Sequence, residues 1–212
     1  MAASMYLDVF DRNPYGTNCW LLGAGSSGEA IVVDPGFDPE AIHGLLAKSS
    51  KTPVAVLLTH AHADHAAEAG VFAGGEIPVL IHPADAVAYD DPDRWAGGPG
   101  SPLTPAAMLR TIADGEVLGL AGLSIEVRHT PGHTPGHCCF RVDGDLLICS
   151  GDLVFAGSIG RSDFANSDQE AMRASLEWFL TLPDELDVLP GHGARTTVGN
   201  ERATNPFFAR LA

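Results

Sequence analysis

The chain has 212 residues and a formal net charge of -15, from 12 basic and 27 acidic residues. A chain of this length fits one domain or two small ones and can bury a substantial apolar core without help from disulfides or metal; with no obvious linker, residues 1–212 are taken as one domain. No Lys/Arg cluster interrupts the acidic balance, which disfavours a nucleic-acid backbone or an anionic membrane surface as a partner.

The opening Met-Ala-Ala-Ser-Met-Tyr-Leu-Asp-Val-Phe has neither a basic segment nor a continuous apolar run, so no secretory signal is expected. No stretch is long enough to span a bilayer, and the expectation is a cytoplasmic protein. Strands are predicted over Tyr6 to Phe10, Asn18 to Leu22 and Ala30 to Asp34, the last stopped by Pro35-Gly36. A helix follows from Pro39 to Lys48, with Ile42, Leu45 and Leu46 at helical spacing. The apolar runs Val54 to Leu58 and Val79 to His82 read as further strands. Residues 90–105 are dense in Pro, Gly and Asp and read as a loop, either a lid or a plain surface excursion; Trp95 is the one reason to lean toward a lid.

In the second half Ser124 to Val127, Cys138 to Val142 and Leu146 to Cys149 read as strands. Ser167-Asp168-Gln169-Glu170 has the form of a capping box, and Met172, Leu176, Phe179 and Leu180 make an apolar helical stripe that should run to about Leu182. Asp187 to Leu189 is a short strand, and Glu201 to Arg210 a closing helix. Cys19, Cys138, Cys139 and Cys149 sit inside apolar runs with no CxxC spacing, as reduced core residues do, although a zinc role for one of them stays open.

Several of these apolar runs end in metal-type ligands. Val54 to Leu58 leads into "THAHADH", with His60, His62, Asp64 and His65; Ser124 to Val127 leads through "RHTPGHTPGH" to His133; Leu146 to Cys149 ends in Ser150-Gly151-Asp152; and Asp187 to Leu189 ends in Pro190-Gly191-His192. Ligands of open α/β sheets gather at the carboxyl ends of strands, so the four turns are expected to face one crevice. The imidazoles and carboxylates are ligands for zinc, iron or manganese, and they are too many for one tetrahedral ion; they suit two. Gly132, Gly151 and Gly191 are expected where the backbone must come close to the ions. A coincidence of turn histidines would have to explain all four strand-end patterns together.

At these residues the sequence resembles the metallo-β-lactamase fold superfamily, and within it the glyoxalase II-like thioester hydrolases. The segments that carry the resemblance are "NPYGTNCWLL", "VVDPG", "THAHADH", "TPGHTPGH", "SGDLVF", "GRSDF", "PGHG" and "TTVGNERATNP"; the metal motifs are specific to the superfamily, and "GRSDF" and the C-terminal stretch to the glyoxalase II-like subgroup. The resemblance implies an α/β fold, an αββα sandwich of two mixed β-sheets flanked by helices. It also implies that His60, His62 and His133 hold one metal, that Asp64, His65 and His192 hold a second, and that Asp152 bridges them. By the same pattern His137 is not a ligand and belongs behind the ligands or on the strand edge, while His43, His82 and His129 are structural. Glu68 stands where relatives often have glycine and reads as a helix-surface charge.

The resemblance implies catalysis in which Asp64 and Asp152 help hold a metal-activated hydroxide for attack on a thioester carbonyl, the thiolate leaving without a strong general acid. The partner is then a small-molecule thioester, a low-molecular-weight thiol conjugate, and two divalent ions, zinc first among them, are the cofactors. Longer glyoxalase II enzymes bind glutathione with a C-terminal helical domain and with a lysine and tyrosine after the bridging aspartate. Here no segment matches that domain, and Arg161 stands at the basic position with Ser162-Asp163-Phe164 after it; Arg161 and Asp163 read equally as substrate-binding groups or as a structural salt bridge or turn. The alternative in another reaction class is a persulfide dioxygenase, which shares the GR-(Ser/Thr)-Asp-Phe stretch and would use one iron held by His60, His133 and Asp152. Pro190-Gly191-His192-Gly193 favours the hydrolase. An exported β-lactamase, a nuclease and a non-catalytic scaffold fit less well, for want of a signal segment, a basic surface and a missing ligand respectively.

Overall fold

A computed structural model describes residues 5–90, 103–143 and 146–210. The first sheet has β1 (Met5–Phe10), β2 (Cys19–Ala24), β3 (Glu29–Val33), β4 (Thr52–Leu57), β5 (Val79–Ile81) and β6 (Leu109–Thr111), in that spatial order. β1, β2 and β3 pair antiparallel, and β3 through β6 pair parallel. The second sheet takes β7 (Val117–Leu120), β8 (Leu123–His129), β9 (Cys138–Val142) and β10 (Leu147–Gly151), followed after a separate two-stranded hairpin, β11 (Val154–Phe155) and β12 (Ser158–Ile159), by β13 (Asp187–Pro190) and β14 (Thr196–Thr197). Its order is β14-β13-β10-β9-β8-β7, parallel only between β10 and β13.

Alternation along the strands explains the layers, because successive side chains point to opposite faces. Ile31, Val33, Ala55 and Leu57 meet Ile125, Val127, Phe140 and Val142 in one buried cluster between the sheets. The intervening Ala30, Val32, Val56 and Leu58 pack outward against Ile42 and Leu46 of α1 (Pro39–Lys48) and Phe72 of α3 (Ala69–Ala73), the latter preceded by the single turn α2 (Ala63–Ala66). On the far side Cys139, Ile148 and Val188 pack against Met172, Leu176 and Phe179 of α5 (Gln169–Phe179) and Val198 of α6 (Val198–Thr204). The result is the expected αββα sandwich, completed by α4 (Pro83–Asp90) after β5. All four cysteines are buried and unpaired. No helix among the described residues is long and apolar enough to cross a membrane.

Three details differ from the sequence reading. The cap of α5 is Asp168, whose Oδ1 accepts from the amides of Glu170 and Ala171 at 2.9 and 3.0 Å, while Ser167 Oγ donates instead to His133 O at 2.8 Å. The helix ends at Phe179, before Leu182. The closing helix is α6 followed by one 3-10 turn, Phe208–Arg210, because Pro206 cannot extend the hydrogen-bond ladder. Asp168→Ala should cost about 1 kcal/mol, the usual worth of an N-cap, in a urea titration. The expected loop over 90–105 falls almost wholly, Trp95 included, outside the described residues, and only its end is seen, where Thr104 N–H donates to Ala67 O.

Candidate metal centre

The turns after β4, β8, β10 and β13 converge at one edge of the two sheets, as their strand-end placement predicts. Ligand atoms of His60, His62 and His133 lie within 4.8 Å of one another, and so do those of Asp64, His65 and His192 and those of His60, His65 and Asp152. Asp152 stands between the clusters, with Oδ1 3.3 Å from His65 Nε2 and Oδ2 3.5 Å from His133 Nε2 and 3.7 Å from His192 Nε2. Asp64 Oδ2 is 3.1 Å from His192 Nε2 and 3.4 Å from His65 Nε2.

The outward ring nitrogens decide which lone pairs face inward. The single proton of Thr59 Oγ1 goes to Asp34 Oδ2 at 2.7 Å, so the 3.0 Å contact with His60 Nδ1 requires that nitrogen to donate. Likewise His133 Nδ1 donates to Arg161 O at 2.7 Å and His65 Nδ1 to Asp34 Oδ2 at 2.9 Å. The Nε2 atoms of His60 and His133 then point lone pairs at His62 Nδ1, 3.0 and 2.8 Å away. Burial first, and repulsion among the rings second, pushes His62 down to about 3 and holds His60 well below the ordinary range. Burial also lowers His133. Three neutral imidazoles directed at one another form a donor set that a divalent cation satisfies and protons do not.

The second cluster has the opposite balance. Burial opposes charge on His65, yet the carboxylates of Asp152, Asp64 and Asp34 raise it well above the ordinary range, and Asp64 and Asp152 raise His192 against its burial. Burial would raise Asp64 and Asp152, but the neighbouring histidines hold both carboxyls well below theirs. Carboxylates that need positive charge among imidazoles are the second kind of environment a divalent ion fits.

His137 is excluded as a ligand by its own bonds. Its Nε2 accepts the Asp152 N–H at 3.0 Å, so its lone pair is used and Nδ1 donates to Thr130 Oγ1 at 2.9 Å. This places His137 behind Asp152, as expected. Gly151, at φ 49°, lies against the same ring, where a Cβ would fall 2.7 Å from His137 Nε2. A Cβ at Gly191 would collide with Asp152 Oδ1. Gly132 differs from its expected role: its close neighbour is the backbone of Met172 in α5, not the ligand cluster. His82 and His129 stack on each other at 4.0 Å and His43 on Phe72 at 4.2 Å, both away from the cluster. Glu68 lies at the start of α3, partly exposed, and its Oε2 accepts the Asp38 N–H at 2.8 Å.

The sequence reading missed five supporting residues. Asp34, at the end of β3, orients Thr59 and His65 together; a polar group closing an apolar strand before Pro-Gly was the available signal. Thr17 Oγ1 donates to Asp64 Oδ2 at 3.0 Å, and Asn18 and Trp20 donate side-chain N–H groups to Pro190 O at 3.0 and 2.9 Å, fixing the His192 turn. Asp85 joins the turns of His60 and His133 through Ala61, Thr134 and Gly136. Above the cluster opens a cavity of about 230 Å³ whose wall includes Tyr15, Phe155, Ile159 and Phe164. Arg161 is at its mouth, paired with Asp163 at 2.8 and 3.0 Å and lying 4.5 Å over the Phe164 ring. Both members of that pair are exposed.

The chain is similar to known proteins over nearly its whole length. A family model described as the metallo-beta-lactamase superfamily matches residues 12–192. The chain is 31% identical to hydroxyacylglutathione hydrolase GloC of Haemophilus influenzae over 214 residues, covering 96% of this chain and 98% of that protein. The crystal structure of TTHA1623 in a di-iron-bound form matches with a TM-score of 0.81 and 36% identity, over 95% of this chain and 99% of that one. The crystal structure of BLEG-1 B3 metallo-beta-lactamase matches with a TM-score of 0.84 and 34% identity, over 96% and 99% of the two chains.

Proposed function

The chain belongs to the metallo-beta-lactamase superfamily of metal-dependent hydrolases, and we propose that it is a thioester hydrolase of glyoxalase II type, holding two divalent ions, zinc first among them, and cleaving an S-acyl conjugate of a small thiol. The observation that carries this reading is the position of Asp152, within 3.7 Å of imidazoles from both ligand clusters. A mononuclear dioxygenase would need only His60, His133 and Asp152, and would leave His62, Asp64, His65 and His192 without a role as ligands. The 31% identity to a hydroxyacylglutathione hydrolase supports the substrate class.

In this reading His60, His62 and His133 would hold one ion and Asp64, His65 and His192 the other, with Asp152 placed to serve both. When bound, the ions supply an acidified water and a Lewis acid toward the substrate carbonyl. Asp64 and Asp152 are the carboxylates placed to accept a hydrogen bond from that water and so aim its lone pair. Thr17 keeps Asp64 turned inward through its 3.0 Å bond, and Asp34 does the same for His65 at 2.9 Å. Phe155 and Phe164 give the cavity an apolar wall beside the candidate ligands. A thiolate, with an ordinary pKa near 8 to 9, departs without a strong general acid, so no proton donor is asked of the cavity wall. Arg161 at the mouth is placed to meet a carboxylate of the thiol carrier if Asp163 yields it.

The test is elemental analysis of protein purified without chelators, followed by a thioester panel and an oxygen electrode with a thiol persulfide. About two ions per chain and thioester turnover that a chelator abolishes and added metal restores is the expected result. One tightly held iron with persulfide-dependent oxygen uptake would overturn it in favour of the dioxygenase.

A further inference from the structure

The C-terminal Thr196-to-Asn205 segment contributes no ligand, yet it contains a fully buried carboxylate, Glu201. A buried charge is costly unless its lone pairs are taken up. Glu201 Oε2 accepts from Gly157 N–H at 2.8 Å and Asn205 Nδ2 at 2.9 Å, and Oε1 accepts from Thr196 Oγ1 at 2.6 Å and Asn200 Nδ2 at 3.0 Å. Asn205 Nδ2 also donates to Ser158 O at 2.9 Å. The helix α6 therefore grips the Gly157-Ser158 turn of the β11–β12 hairpin by the amide of one residue and the carbonyl of the next.

That hairpin has only two residues in each strand, too few to fix its own geometry. Its strands carry Phe155 and Ile159 into the cavity wall, and the Phe155 ring lies 5.7 Å from the His192 ring. On its return it passes so close to Asp152 that a Cβ on Gly160 would collide with the Asp152 carbonyl. The hairpin is thus held from one side by α6 and rests on the ligand turn with the other.

We propose that Glu201 and Asn205 are positioning residues for the substrate cavity: by fixing the Gly157-Ser158 turn they set where Phe155 and Ile159 stand over the metal centre. The kinetic part of this inference rests on the hydrolase reading; the structural part does not. Asn205→Ala removes the link to Ser158 and one of the four hydrogen bonds to Glu201 while leaving the carboxylate and its Gly157 N–H bond in place, and Glu201→Gln turns an acceptor of Gly157 N–H into an amide that serves it less well.

The experiment compares both variants with wild type, all metal-loaded, by hydrogen exchange of the peptide covering residues 153–161, metal content and thioester kinetics. Expected are exchange about tenfold faster in that peptide, unchanged metal content, and a KM raised about five- to tenfold with kcat within about twofold. Unchanged exchange at 153–161 in both variants overturns the inference. So does faster exchange with unchanged KM, which would make the bracket a stabilising contact alone. If wild type turns over no thioester, the hydrolase reading falls, and the exchange rates still decide whether α6 holds the hairpin. Asn205→Ala keeps the test open should Glu201→Gln fail to fold.

Discussion

Asp152→Ala should lower thioester turnover by about three orders of magnitude, the several kcal/mol that a correctly held metal centre is worth, and should leave the protein short of its full metal complement. The size of the effect follows from where the side chain stands. It is 7% exposed, lies between two clusters of imidazoles, and is the one carboxylate within 4 Å of His65, His133 and His192 together among the described ion pairs. Alanine there removes the negative charge that would offset the two proposed divalent ions and leaves buried histidines facing one another. Asp152→Asn is the sharper comparison, since it keeps the volume and one acceptor oxygen but no charge; it should fall between wild type and alanine in both metal content and kcat/KM. Far-UV circular dichroism on each variant separates loss of the centre from loss of the fold. Two retained ions and full turnover in Asp152→Ala would sink the bridging assignment and with it the proposed mechanism.

The ligand cluster was legible because its residues sit directly after apolar runs, and a run's end is a local feature. Val54 to Leu58 announces His60, and Leu146 to Cys149 announces Asp152, before any contact is known. The layers were legible for the same reason: strand alternation and the Met172, Leu176, Phe179 stripe are periodic in sequence. What escaped depends on pairs far apart in the chain. Asp34 is one carboxylate among 27 acidic residues until β3 and β4 align it with Thr59, and Phe155 is one apolar residue until its hairpin folds over His192. The short edge strands β6 and β7 have few buried side chains and therefore little pattern. The Ser167 cap failed for a physical reason of the same kind, since the His133 carbonyl competes for its hydroxyl and leaves the helix amides to Asp168.

Asp85→Ala is expected to be the most damaging change outside the ligands. Asp85 lies in α4, fully buried, and ties together the two turns that bring His60 and His62 toward His133. Its Oδ2 accepts from Ala61 N–H at 3.0 Å and Thr134 Oγ1 at 2.7 Å, and its Oδ1 accepts from Gly136 N–H at 2.6 Å. Removing the carboxylate strands those buried donors, each at about 1–3 kcal/mol, so the variant should lose about 3–5 kcal/mol in urea titration after partial relaxation. Because the turns carry three imidazoles of one cluster, metal affinity should fall with stability even though Asp85 touches no ligand side chain. The pH dependence gives an independent check. Burial pushes Asp85 up to about 7 against the pull of its three hydrogen bonds, so the folded state keeps a proton that the unfolded chain gives up near the ordinary value of 3.8. Folding then binds a proton between these values, and this residue's contribution to stability declines as pH rises from about 4 to about 7 and levels off above that. Asp85→Asn cannot titrate and should lack that decline, whatever its absolute stability. Parallel stability profiles for wild type and Asp85→Asn across pH 4 to 7 would show that Asp85 stays ionised, and an Asp85→Ala loss below about 1 kcal/mol would show that the two turns hold their places without it.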